Sequence, residues 1–256
     1  MSNSFLIINA DDAGLHPDID AGILDAVTAG TVTSISLFVN GPYVPDIIPF
    51  LDAGVSLGLH FNLTQGHPCS DPVPASLVDK NGAFFCDGHE RLESFNERDV
   101  HKELGAQLAR FIDIAGARPS HLDAHKHLHR RDGAIFTIML EAAGELGIPL
   151  RCPTDMMKHH CRRAGVATAD HFIGAVDPAP YWTEDRIADE LSGLLPGITE
   201  MMCHPGRKTG PIEGLRYVAQ RDTERKALLS GRTKELLAGL RLTNFREAFF
   251  GVEIPL

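Results

Sequence analysis

Apolar, β-branched runs alternate along the first part of the chain with segments of helical periodicity. The runs typical of strands are Phe5–Ala10, Thr31–Val39 and Val55–Leu63. Helices are expected between them at 17–30, where Pro17 suits a first turn, and at 46–51. This order of strands and helices favours parallel pairing through crossover helices.

The same alternation continues more weakly to the end of the chain. Further helices are predicted at 98–115, 134–146, 183–195 and 218–239, and further strands at 121–125, 148–151, 171–173 and 200–203. Prolines and glycines without a clear period indicate an irregular insertion at about 65–98. We therefore predict an α/β fold, with residues 1–256 forming one domain. The length suits a distorted (β/α) TIM-like barrel.

Composition and charge restrict the function classes. The 256 residues are 43% hydrophobic and 23% charged, as in ordinary globular proteins. A net charge of −10 argues against general binding to nucleic acid or to anionic membranes. No apolar run approaches the roughly 20 residues of a membrane span, and no secretory signal is evident. The five cysteines are widely spread and form no CxxC pair. A soluble cytoplasmic protein with free thiols is the expectation.

Two carboxylates, Asp11 and Asp12, follow the first predicted strand. Within a strand, adjacent side chains point to opposite faces, but at a strand end the backbone turns and both can converge. One carboxylate could then bind a metal ion while the other handles a proton. The alternative is a helix cap or an Asx-turn, because aspartates are common before helices.

The third predicted strand has one polar face, formed by His60, Asn62 and Thr64. An internal parallel strand is normally apolar on both faces, so this face indicates a site at a barrel mouth. A hydrogen-bonded core histidine is the alternative reading of His60.

The strongest local signal is the segment 121–129, in which every odd position is His or Asp. If the segment is extended, five titratable groups point in one direction. They cannot all bind one ion, so one or two would be ligands and the others would support them or contact substrate. A divalent metal site assembled from distant strands is favoured over accidental alternation on a solvated strand.

Weaker candidates complete the set. His204 lies where a late strand gives way to a turn, and Asn40 follows the second predicted strand; either could be a site residue or an ordinary turn residue. His159 and His160 are interpreted as part of a polar loop. The alternating charges of 221–234 are interpreted as a solvated helix face. Phosphate-binding glycine loops and GxSxG motifs are absent from the sequence.

Five separated motifs, taken in order, resemble the YdjC-like carbohydrate deacetylases. They are NADDAG (9–14), TSISLFVNGP (33–42), GLHFNLTQGHP (58–68), HLDAHKHLH (121–129) and CHPG (203–206). The resemblance covers most of the chain up to about residue 207. Ala13 and Ala124 depart from it, replacing an aromatic and a serine, which affects sugar contacts rather than the proposed ligands.

The resemblance implies a distorted barrel that removes an acetyl group from an N-acetylated sugar with the help of one divalent ion, Mg or Zn. By motif match, Asp12, His60 and His125 would be the metal ligands and Asp11 the proton acceptor. A homodimer is the expected oligomeric state.

The remaining candidates receive supporting roles in this hypothesis. His204 would contact the substrate or supply the proton to the leaving amine. Asp123 and His127 would orient a ligating imidazole, and Asn40 would be a polar site residue. The insertion at 65–98 would shape the substrate cleft.

Two other functions are compatible with the same residues. Barrel-type metal-dependent phosphoesterases and amidohydrolases also use HxH segments and carboxylates. A sugar-binding protein without catalytic activity could keep the same fold, although intact Asp11 and three intact candidate ligands argue against it.

Overall fold

A computed structural model describes residues 4–86, 91, 94–131, 133–176 and 179–251. Its strands are β1 (Ser4–Ala13), β2 (Ser34–Leu37), β3 (Ser56–Phe61), β4 (Leu122–Ala124), β5 (His171–Ile173), β6 (Gly197–Cys203) and β7 (Arg241–Leu242). Its helices are α1 (Pro17–Thr28), α2 (Ile48–Asp52), α3 (Glu97–Ala115), α4 (Leu128–Arg131), α5 (Gly133–Leu146), α6 (Asp155–Ala164), α7 (Glu184–Ser192), α8 (Gln220–Leu229), α9 (Gly231–Ala238) and α10 (Phe245–Phe250).

The strands form a parallel sheet in the order β4–β3–β2–β1–β6–β5, and β7 also pairs with β1. The central strand is β1, in which Leu6, Ile7 and Ile8 are completely buried. Parallel pairing requires crossover connections, and these connections carry the helices. The carboxyl ends of the strands consequently meet at one edge, where the chemistry of such folds is concentrated.

The two ends of the sheet approach each other. Leu122 of β4 forms an isolated parallel bridge with Leu150, and the Leu150 amide donates to the Ala167 carbonyl at 3.0 Å, four residues before β5. The sheet is therefore curled into a distorted barrel, which confirms the predicted fold class. The predicted strand at 148–151 is reduced to this bridge.

The helix boundaries follow local capping chemistry. Asn96 accepts a hydrogen bond from the Arg98 amide at 2.9 Å and begins α3, and Gly116 ends it with a φ of 67°. The predicted helix at 218–239 is two helices, because Ser230 has a ψ of 150° and caps α9 through the Thr233 amide. His159 and His160 lie in α6, so the polar-loop interpretation was wrong; Thr154 begins that helix.

The insertion at 65–98 is irregular in its described part until α3 begins, apart from one antiparallel bridge between Val78 and Phe84. Residues 87–90, 92 and 93 of this segment lie outside the described residues. Among the described residues, no helix has both the length and the apolar character needed to cross a bilayer.

Gly58 in β3 offers a test of core packing. A Cβ atom at this position would overlap the imidazole of His121, which is buried and stacked on Phe245 with a centroid distance of 3.8 Å. We expect Gly58→Ala to lower the free energy of unfolding by roughly 1–3 kcal/mol, measured by urea denaturation. Gly105→Ala in α3 is the matched control, since its Cβ meets nothing within 4 Å; it should stabilise by about 1 kcal/mol. Equal effects would contradict this packing account.

Candidate active site and metal centre

The adjacent carboxylates Asp11 and Asp12 both line one cleft at the carboxyl edge of the sheet. The strand β1 does not end before them but continues to Ala13, and its register with β2 is interrupted between Ala10 and Ala13. Asp12 has a φ of 71°, in the left-handed region that non-glycine residues seldom adopt. This irregularity allows neighbouring side chains to reach the same cleft.

Three side chains from three strand ends converge in this cleft. Asp12 Oδ1 lies 3.2 Å from His60 Nε2 and 2.9 Å from His125 Nδ1, and the two nitrogens are 3.3 Å apart. His60 belongs to β3, and His125 directly follows β4. All three residues are buried. Their ligand atoms form one of two groups in the described residues that could hold a metal ion.

The donor atoms of Asp12, His60 and His125 fit a divalent ion. Ligands about 2.1 Å from a common ion are about 3.0 to 3.4 Å apart in octahedral or tetrahedral geometry, close to the observed separations. Asp12 Oδ1 is buried and has no hydrogen-bond partner among the described residues, and neither has His125 Nε2. An orphaned carboxylate oxygen that faces two imidazole nitrogens fits the donor set of a divalent-cation site.

The opposite nitrogen of His60 is held by Asp123. His60 Nδ1 and Asp123 Oδ1 are 2.8 Å apart, and Ser36 Oγ donates to Asp123 Oδ2 at 2.9 Å. Burial alone would lower the pKa of His60, but Asp123 and Asp12 raise it to about 10. The carboxylates thus favour positive charge at this point, which a proton or a metal ion can supply.

The second candidate group consists of Asp11, His60 and Asp123. Both of its carboxylates are already paired with Arg151, which donates to Asp11 through Nη1 at 2.6 Å and Nη2 at 2.7 Å, and lies 2.6 Å from Asp123 Oδ2. An ion there would have to displace a buried guanidinium. Because Asp12 Oδ1 has no such partner in the described part of the chain, the group with Asp12 and His125 is the better candidate.

Arg151 was not identified from the sequence as a site residue. It follows Leu150, is completely buried, and also donates from Nε to Glu200 Oε1 at 2.6 Å. Three carboxylates thus share one guanidinium. Burial would lower the pKa of Arg151, but Asp11, Asp123 and Glu200 hold it well above its ordinary value. A charged residue at the carboxyl end of a predicted strand was the available signal.

The interpretation of 221–234 as a solvated helix face was wrong. Arg221 in α8 is 1% exposed, and its Nη2 donates to Asp12 Oδ2. Burial would raise the pKa of Asp12, but Arg221 and His125 hold it well below its usual value. Glu224 is also buried, and Glu224 Oε2 accepts a hydrogen bond from the His204 backbone amide at 2.7 Å. Arg221, Glu224 and Leu228 share the buried face of α8. Two of the charged residues of this helix therefore face the interior instead of solvent.

His204 follows β6 and lies at the edge of the cleft. Its Nε2 is 3.9 Å from Asp11 Oδ2, which is longer than a hydrogen bond. Burial lowers the pKa of His204, which favours the neutral imidazole. The structure thus places His204 beside Asp11 without bonding the two side chains.

The histidine-rich segment is not extended throughout, which corrects the expectation that its five titratable groups point in one direction. After β4 the chain enters a 3₁₀ turn at His125–His127, and Lys126 and His127 have φ values of 53° and 50°. His121 packs in the core and His129 Nε2 lies 3.0 Å from the Arg151 carbonyl, while burial lowers their pKa values to about 3 and about 4. His127 lines the cleft.

Asn40 is not brought to the cleft. Its Nδ2 donates to the His67 carbonyl at 3.0 Å, and its Oδ1 accepts from Asn62 Nδ2 at 3.1 Å, so it joins two loops. Of the two positions that depart from the family pattern, Ala124 lines the cleft, whereas Ala13 is buried and is not among the lining residues.

The cleft has a volume of about 1310 Å³. Besides the residues above, its lining includes the aromatic side chains Phe172, Tyr181 and Tyr217 and the cationic side chains Lys126, Arg130, Arg131 and Arg216. One cavity thus contains a carboxylate held by an arginine, three side chains that could hold a metal ion, and aromatic surfaces.

The family of the chain follows from comparison with known proteins. The family model described as YdjC-like protein matches residues 5–239. The chain belongs to the YdjC-like family. A carbohydrate deacetylase from Geobacillus stearothermophilus is 32% identical over 251 residues, which cover 96% of this chain and 98% of that protein.

Solved structures agree with this membership. A candidate cellobiose-phosphate cleavage protein from Enterococcus faecalis V583 is 28% identical, with a TM-score of 0.83 over 96% of this chain and 99% of the other. The Xyl-CE4 domain of a xylanase from the hindgut metagenome of Trinervitermes trinervoides is 9% identical, with a TM-score of 0.54 over 96% and 90%. The second likeness concerns the fold alone, which this YdjC-like chain shares with the Xyl-CE4 domain.

Glu200 gives a testable pH dependence. Burial and the neighbouring Asp123 raise its pKa from 4.5 to about 7, against the opposing effect of Arg151. Between these values the folded protein holds a proton that the unfolded chain releases, so stability falls as pH rises from about 4.5 to 7. We expect Glu200→Gln to remove this decline. The free energy of unfolding of the wild type minus that of the variant should fall by about 1–3 kcal/mol as the pH rises from about 4.5 to 7.

The measurement is urea denaturation of both proteins with a chelator present, at several pH values between 4.5 and 7.5. The difference between the two proteins isolates Glu200 from the other titrating groups. A difference that stays constant with pH would contradict the assignment.

Proposed function

We propose that the chain is a divalent-metal-dependent hydrolase that removes an acetyl group from an N-acetylated sugar. The observation that carries the proposal is the convergence of Asp12 Oδ1, His60 Nε2 and His125 Nδ1 within 3.3 Å of one another, beside Asp11. Membership of the YdjC-like family and full-length similarity to a carbohydrate deacetylase support it.

Asp12, His60 and His125 would hold the ion. When bound, the ion polarises the acetamide carbonyl and lowers the pKa of a water molecule. Two imidazoles and one carboxylate oxygen suit zinc or a similar transition ion better than magnesium, which prefers oxygen ligands. The choice of zinc over magnesium rests on this donor chemistry.

Asp11 is the proton acceptor in this proposal. An ionised carboxylate has about four acceptor positions. Three are used: Oδ1 accepts from Asn9 Nδ2 at 2.8 Å and from Arg151 Nη2, and Oδ2 accepts from Arg151 Nη1. The remaining position is on Oδ2, on the atom nearest to His204. Asp11 can therefore accept one proton from the attacking water while Arg151 keeps the carboxylate oriented.

The second half of the reaction breaks the C–N bond and requires a proton on the leaving nitrogen. Asp11 returns the proton it has taken, so the carboxylate is regenerated as acetate and free amine form. His204 Nε2 lies 3.9 Å from Asp11 Oδ2, and burial lowers the pKa of this imidazole. In this proposal Nε2 would hydrogen-bond a substrate group beside Asp11.

The cleft favours a substrate larger than one sugar. Its volume of about 1310 Å³ exceeds the roughly 300–1000 Å³ of common small-molecule pockets. Phe172, Tyr181 and Tyr217 offer apolar faces on which sugar rings can pack. We propose an N-acetylglucosamine-containing oligosaccharide or glycoconjugate as the substrate.

The direct test measures acetate release from N-acetylglucosamine oligomers by the zinc-loaded wild type and three variants. Asp11→Asn should reduce kcat by about 10² to 10⁴ while metal content is unchanged, because the proton acceptor is lost and the ligands are kept. His125→Ala should lose both metal and activity. His159→Ala, at an exposed helical position, is the control and should match the wild type.

Several outcomes would contradict the proposal. Full activity of Asp11→Asn would remove Asp11 from the mechanism. Release of phosphate from phosphate esters without release of acetate would favour a phosphoesterase. Sugar binding that survives chelation, without any acetate release, would favour a protein that only binds sugar.

A further inference from the structure

Arg221 connects α8 to the candidate metal centre through a buried contact. Its Nη2 donates to Asp12 Oδ2, its Nε donates to the Tyr217 carbonyl at 2.8 Å, and its own carbonyl accepts from the Gly206 amide at 3.3 Å. The side chain is 1% exposed and lines the cleft. Two of these contacts, to Asp12 and to the Tyr217 carbonyl, hold the guanidinium itself, so its position does not depend on Asp12 alone.

The charge of Arg221 is directed at one carboxylate. Asp12 is its ion-pair partner among the described residues, and Arg221 Nη1 is buried there without a hydrogen-bond partner. Arg151, in contrast, shares its charge among Asp11, Asp123 and Glu200. The charge of Arg221 is therefore not divided among several carboxylates, as that of Arg151 is.

The contact also determines which oxygen of Asp12 remains available. Oδ2 is bonded to Arg221, whereas Oδ1 faces His60 and His125 and has no hydrogen-bond partner. A carboxylate with both oxygens free can bind an ion through both of them. The guanidinium occupies one oxygen and so leaves Asp12 a single ligating atom.

Arg221 should weaken Asp12 as a metal ligand, whereas Asp123 should strengthen His60 as one. A carboxylate on the far nitrogen of an imidazole raises its basicity and strengthens it as a ligand. A cation on the far oxygen of a carboxylate lowers its basicity, and its positive charge also repels a divalent ion. The same candidate centre thus contains Asp123, which strengthens one ligand, and Arg221, which weakens another.

We propose that Arg221 is a positioning residue that confines Asp12 to one ligating oxygen and weakens the binding of the divalent ion. The weaker donor keeps a coordination position and positive charge available for substrate. The inference rests on the proposed metal centre and deepens the proposed function. It predicts that removing the guanidinium tightens metal binding and slows catalysis, a pair of effects that loss of a structural support would not produce.

The experiment titrates zinc and cobalt into metal-free wild type, Arg221→Met and Arg221→Gln, in competition with a chromophoric chelator. We expect both variants to bind metal on the order of tenfold more tightly, and kcat for acetate release to fall on the order of tenfold with little change in KM. The visible spectrum of the cobalt-loaded protein should change, because the ligand number or geometry at Asp12 changes.

Arg225→Met is the matched control. Arg225 lies on the same helix and bonds Asp25 and Asp222 instead, so its removal should leave the metal affinity and the cobalt spectrum unchanged. Arg221→Gln keeps hydrogen-bond donors at the position and tests the charge if Arg221→Met does not fold.

The outcomes separate this inference from the proposed function. A wild type that binds no divalent metal would overturn both. A wild type that binds metal, with Arg221 variants that bind it equally or more weakly, would overturn the inference and leave the proposed function standing. Failure of both variants to fold, judged by circular dichroism, would show that Arg221 serves the fold and would also overturn the inference.

Discussion

Two buried arginines determine what the adjacent carboxylates at the end of β1 can do. Arg151 pairs with Asp11, and Arg221 pairs with Asp12. Without them, two neighbouring carboxylates in a buried cleft would repel each other. With them, each carboxylate has a guanidinium of its own, and Asp12 still presents one free oxygen to His60 and His125. The other features of the site depend on this assignment of one arginine to each carboxylate.

These two contacts also join distant parts of the chain. The partners are 140 residues apart in one pair and 209 in the other. Buried ion pairs add little net stability compared with apolar packing, although removing one partner typically costs about 3–5 kcal/mol. The two ion pairs are therefore better explained by their role in arranging the candidate site than by a contribution to the stability of the fold. The curled parallel sheet supplies the geometry, because its strand ends meet where the charges must be placed.

Local patterns in the sequence predicted the parallel sheet and most of the helices. They also marked the Asp11–Asp12 pair, His60 and the histidine-rich segment as candidates, whereas the choice of Asp12, His60 and His125 as ligands came from the resemblance to the YdjC-like deacetylases. Arg221 was not marked, because its charge alternates with others along α8 and resembles a solvated face. The turn after β4 was also missed, because Lys126 and His127 adopt positive φ values and the segment contains no glycine that would have predicted a turn. At these positions, contacts between residues far apart in the chain override the local conformational preferences of the sequence. A single sequence does not show which distant residues are in contact.

The most direct test of the centre is a crystal structure of the zinc-loaded protein with anomalous diffraction measured on both sides of the zinc absorption edge. We expect one strong anomalous peak about 2.0–2.2 Å from Asp12 Oδ1, His60 Nε2 and His125 Nδ1, with Arg151 still bonded to Asp11. A peak between Asp11 and Asp123, with Arg151 displaced, would contradict it. So would a fully loaded protein whose ion lies elsewhere.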